Sequence, residues 1–258
     1  MKMQLLCGKK FYFKRSVFMS DNFNEFIDYS DARELTMKEK IKDVFTNPKE
    51  LFKSIKFYPN LKLAIIIILV ISFLAAFIEI SSTDFINSMI DSAKQSGQPI
   101  PSDSQLEVYK YMTIALAGIM PLIVIGFKAF MITGLSVLVG GDGDTKEGML
   151  VTSYSYIPIV LGTLISRTII YFTNFDVFKF NLAQILPSSL EGTLFFGIAL
   201  SIDIFIIWYL VLSFIGTKYI FEISYKKAIL PVLIPWIFWV IFYAGVYILT
   251  SGGLNIGI

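Results

Sequence analysis

The chain has 258 residues, 55% of them hydrophobic and only 16% charged, with a mean hydropathy of +0.68. Soluble domains carry about 25% charged residues, so an ordinary water-soluble globule is excluded at the outset. With no His and a single Cys, His-based catalysis is gone and a zinc site would have to draw on one thiol and carboxylates, while a net charge of +2 conceals a steep gradient along the chain.

Met1–Phe18 is basic and partly apolar but has no continuous apolar core and no small-residue cleavage site, so it does not read as a signal peptide. Met19 opens a polar, acidic stretch, and translation from Met1 or from Met19 fits equally. Residues 1–35 are expected to form a disordered or partly artefactual region, and the lone Cys7 cannot form an internal disulfide. Thr36-Met-Lys-Glu39 has the spacing of a capping box, after which Met37, Ile41, Val44 and Phe45 share one helical face. Asn47 reads as the N-cap of a second helix with Pro48 at its first position. Leu51, Phe52 and Ile55 then lie on one side, with Lys49, Lys53 and Lys56 on the other. Residues 36–60 thus read as two cytoplasmic interfacial amphipathic helices, resting on headgroups or offering a docking site to a partner protein.

Five stretches follow that can cross a bilayer, which takes about 20 apolar residues. They cover 61–81, 112–139, 149–172, 192–215 and 228–249. Their length and uniform apolarity predict helices instead of barrel strands, hence an all-α integral membrane bundle over 61–250 with 251–258 as a tail. The second stretch exceeds a vertical span and is expected to tilt, to kink near Pro121 or to project. Between the first two spans a polar loop is expected to hold a short helix over 84–94, ended by Gly97-Gln98-Pro99-Ile100-Pro101. Lys and Arg set the orientation. With the N-terminus inside, the inner segments carry 17 of them and the outer segments three. This predicts a cytoplasmic N-terminus and an extracytoplasmic C-terminus.

Ionisable residues inside spans are functional suspects. Arg167 sits where it can snorkel, whereas Lys128 and Asp203 fall near mid-bilayer at matched depths and are expected to pair, directly or through one water. The same two residues are what a small transporter or channel would use. Gly141-Asp142-Gly143-Asp144 contains the Gly-x-Gly-Asp of intramembrane aspartyl proteases, but Asp144 lies in a loop half a bilayer from Asp203, so a tight turn is expected. Gly118, Gly126 and Gly134 form a row on the second span, and Gly162/Ser166 and Gly197/Ser201 have small-xxx-small spacing, predicting close packing of spans two, three and four. Tyr154, Tyr156 and Trp236 read as interface anchors. No nucleotide loop, nucleophile elbow or metalloprotease motif occurs, so no catalytic set, metal or cofactor is expected. The basic N-terminal region faces anionic lipid more readily than nucleic acid.

Several short motifs come in a particular order. Phe45-x-Asn47-Pro48 precedes the first span and Gly140-Gly141 leads the third, which contains Tyr154-Ser-Tyr-Ile-Pro158. Ile207-Trp208-Tyr-Leu-Val-Leu212 and Gly216 close the fourth span, and Ser224-Tyr-Lys-Lys-Ala228 opens the fifth. From Phe45 to Leu249 this series resembles the Yip family, the Ypt-interacting-protein-type five-span domain. The resemblance implies a non-enzymatic membrane protein, a scaffold or an assembly or trafficking factor whose partner is another membrane protein or complex. The acidic Asp-Leu-Tyr-Gly-Pro stretch of eukaryotic members is missing, which speaks against Rab-type GTPase binding and for a prokaryotic branch in the bacterial cell membrane.

Overall fold

Each apolar stretch folds as helix, the conformation that satisfies a backbone removed from water. The structure is a computed structural model; it describes residues 27–81, 83–95, 97–173 and 180–250. The choice between Met1 and Met19, Cys7 and the tail 251–258 lie outside the described residues. In chain order the helices are α1 (Met37–Thr46), α2 (Pro48–Phe57), α3 (Leu61–Ile80), α4 (Thr83–Gln95) and α5 (Asp103–Leu138). They continue as α6 (Thr145–Thr173), α7 (Leu194–Leu200), α8 (Ile204–Phe221) and α9 (Tyr225–Thr250). Among the described residues there is no strand, and five helices, α3, α5, α6, α8 and α9, are long and apolar enough to cross a membrane.

The helix starts follow their capping chemistry. Thr36 and Glu39 make the expected reciprocal box at the start of α1, and Pro48 occupies the first position of α2. Asn47 sits at the N-cap of α2 but makes no side-chain cap bond. The second span begins nine residues before its expected start, because Ser102 and Gln105 form another capping box that extends α5 to 36 residues. Asp144 Oδ1 accepts from the backbone N–H of Lys146 and Glu147, and Glu147 Oε2 accepts from that of Asp144. The Gly-x-Gly-Asp sequence is thus the turn and cap that start α6.

The fourth span departs most from expectation. It breaks at Ser201–Asp203 into α7 and α8, and α8 runs six residues past the predicted end to a left-handed cap at Glu222, φ 56°. Helix α6 is the centre of the bundle, packed on α3, α5 and α8, while α9 packs on α5, α7 and α8. Glycines permit the α6–α8 approach: a Cβ at Gly216 of α8 would meet Val151 of α6, and one at Gly162 of α6 would meet the Phe205 ring of α8. The glycine row on the second span is not a packing seam. A Cβ at Gly118 would meet the Phe73 ring of α3, but Gly126 and Gly134 face open space. Gly197 likewise faces Ala244 of α9, and Gly162 faces the Phe205 ring of α8.

Candidate functional site

The family-type motif residues converge at one end of the bundle, where the N-terminal helices dock. The Trp208 indole N–H donates to the Val44 carbonyl at 3.1 Å. Next along, a Cβ at Gly216 would lie 2.7 Å from the Phe52 ring and 3.0 Å from Val151. Further on, Lys56 Nζ donates to the Ile220 carbonyl at 2.5 Å. All three pairs are 164 residues apart in sequence, so residues 44–56 run parallel to α8 and in register with it for about 18 Å, at 1.5 Å per residue. Leu51, Phe52 and Ile55 are fully buried in the main core. The expectation that both amphipathic helices rest flat on headgroups therefore fails for α2, whose apolar face is taken up by the protein. Helix α1 packs on α2 with Val44 and Lys40 buried, and leaves Met37, Ile41 and Phe45 exposed on the adjoining flank of the same face.

The remaining motif residues hold this arrangement in place. Tyr154, fully buried and not an interface anchor, donates its hydroxyl to the Asn60 carbonyl at 2.9 Å, fixing the junction of α2 with α3 to α6. Gly140 adopts φ +89° to turn the chain between α5 and α6, a conformation natural to glycine. A Cβ at Gly141 would lie 2.9 Å from the Ser136 carbonyl, and Asp142 N–H donates to the Phe221 carbonyl, so this loop also closes on the end of α8. Pro158 is buried within α6. Lys56 lies within 3.3 Å of Glu222 and 3.7 Å of Glu147, joining α2 to both neighbours.

Residues 27–35, expected within a disordered region, form a strap over this site. The Tyr29 hydroxyl donates to the Tyr219 carbonyl at 2.6 Å, Leu35 is buried, and Asp31 pairs with Lys53 at 2.5 Å. Burial, then the Glu222 charge, pushes the Tyr29 hydroxyl above its ordinary value. The hydrogen bond from Arg33, followed by those from Thr36, draws the Glu39 carboxyl down to about 2, and Lys53 lowers Asp31. For lowered carboxyls the stabilisation is complete above their unfolded values, about pH 4, and is lost as pH falls through the folded ones. Hydrogen-exchange protection of residues 29–40 should accordingly hold from pH 7 to 5 and decline between about pH 4 and 2. Trp208→Phe, which removes the indole donor and some ring volume, should cost about 1 kcal/mol or more in detergent unfolding and raise exchange in α1.

The intramembrane charges do not meet as expected. Among the described residues no ion pair joins Lys128 to Asp203. Lys128, buried on α5, holds its ammonium 4.3 Å from the Tyr209 ring centroid and 5.7 Å from that of Tyr156, a cation–π arrangement. Asp203 is the N-cap of α8: its Oδ1 accepts from the N–H groups of Phe205 and Ile206 at 2.7 and 2.8 Å. Asn181 forms an isolated antiparallel bridge with Asp203 across the break. A capping carboxylate is turned to the N–H groups of its own helix, not sideways toward a neighbour. Arg167 pairs with Glu79 of α3 at 2.8 Å. Each charge thus has a local structural role, which gives a transport pathway no support of its own.

What sequence reasoning missed is the helix break and the docking groove on α8. Both had signals. Asp203 preceding an apolar run is an N-cap pattern, and Ser213, Gly216 and Thr217 at i, i+3 and i+4 form a smooth face.

No curated protein and no solved structure matches the chain. The family model of the Yip1 domain matches residues 42–247, from inside α1 to near the end of α9, and so spans the docked helix α2 together with all five spans. The chain belongs to the Yip1 domain family.

Proposed function

We propose that the protein is a non-enzymatic membrane scaffold that helps assemble or traffic another membrane complex. Its N-terminus lies in the cytoplasm of a bacterial cell and its C-terminus outside. The observation that carries this reading is the docked α1–α2 unit: α2 anchors it in register on α8, while α1 holds Met37, Ile41 and Phe45 outward. A helix whose apolar face is only partly covered by its own bundle, with its remaining flank exposed, has the form of a partner-binding element. The Lys and Arg distribution, 17 against three, supports the orientation. The test is a photo-cross-linking residue at Ile41, followed by purification in mild detergent and mass spectrometry. A discrete membrane-protein adduct that disappears in Met37→Asp supports the scaffold reading. Repeated recovery of the protein alone, after cross-linking in intact cells, contradicts it.

A further inference from the structure

Beside the docked helices, an open groove of about 320 Å³ lies between the start of α3 and the start of α6, lined by Pro59, Asn60, Leu61, Lys62, Lys146 and Leu150. Its two charged wall residues are both lysines, both exposed, and among the described residues neither ammonium group enters an ion pair or hydrogen bond. No carboxylate lines it, so nothing on the wall would receive an ammonium group. The floor is preformed. The Asn60 carbonyl is held by the buried Tyr154 hydroxyl, and the Asn60 side chain caps the N–H of Leu63 at 3.1 Å. The first turn of α3, a 20-residue helix, opens into the same groove and adds the positive end of its dipole. From Lys62 the exposed side chains Ile66, Val70, Phe73 and Phe77 continue up one face of α3 at helical spacing. A soluble phosphate would use the lysines alone; only a molecule with a long apolar tail would use both features.

We propose that this groove binds the phosphate of an anionic phospholipid, with Lys62 and Lys146 reaching it from two helices and an acyl chain lying along the Ile66–Phe77 stripe. The site is independent of the scaffold reading, since it needs no protein partner.

The test uses the full chain in detergent, with retained lipid counted by native mass spectrometry and stability followed by thermal unfolding. Added phosphatidylglycerol should be retained and should raise the unfolding temperature saturably, whereas phosphatidylcholine should do neither. Lys62→Gln with Lys146→Gln should weaken retention by roughly tenfold or more, from about 1 kcal/mol per lysine. Lys38→Gln with Lys42→Gln removes the same charge from α1 and should leave retention unchanged. Both groove side chains are exposed, so the lipid-free unfolding temperature should stay put, and retention reads binding directly in either case. Equal retention of phosphatidylcholine, equal loss in the α1 variant, or full stabilisation by glycerol 3-phosphate alone would each overturn the proposal.

Discussion

Phe52→Ala should loosen α2 from the fourth span and lower the unfolding free energy by about 3–5 kcal/mol, the cost of a large cavity at a buried aromatic site. The ring is fully buried and lies against Gly216, at a place where α8 has no side chain. The same contact can be broken from the other side. Gly216→Leu would drive a side chain into the ring and should cost about 1–3 kcal/mol by overpacking. Combining the two should recover part of the loss, because the new side chain enters the space the ring vacates. Equilibrium unfolding in mixed detergent measures the free energies, and protease cleavage within residues 37–57 reports whether the helices have come away. Unchanged stability in Phe52→Ala would show that the ring is not packed there.

The second large effect is expected at the break in the fourth span. Asp203→Leu removes both cap bonds from the start of α8 and should cost about 2 kcal/mol, whereas Asp203→Asn keeps an acceptor and should cost well under that. Lys128→Met gives up the contact with the Tyr209 ring but also the desolvation of a buried ammonium, so its net effect should be small. With no ion pair between them, Lys128→Met and Asp203→Asn should be additive within about 0.5 kcal/mol. A coupling above about 1 kcal/mol, with the double variant rescuing either single one, would restore the paired reading through an intervening water.

Five spans, the α1 capping box and Pro48 at the start of α2 were legible because each depends on neighbours in sequence. What a helix face packs on is not encoded that way. Leu51, Phe52 and Ile55 make the same amphipathic pattern whether they meet headgroups or a groove, and the deciding residue, Gly216, lies 164 positions from Phe52. Asp203 was misread for a related reason. Hydropathy averaged over the fourth span sees one charge in an apolar run, while the structure uses that charge to end one helix and start the next. Position along a span carries no information about direction, and the aromatic neighbours of Lys128 come from two other spans.

The docking of α2 along α8 is tested most directly by a cysteine pair at Lys56 and Glu222, whose side chains lie 3.3 Å apart, in a Cys7→Ser background and in native membranes. A short thiol-specific cross-linker should join the two within one chain in high yield, while Thr46 with Glu222, at opposite ends of the docked segment, should not be joined. Free maleimide labelling of both cysteines without an intramolecular cross-link would contradict the docked arrangement and return α2 to the membrane surface.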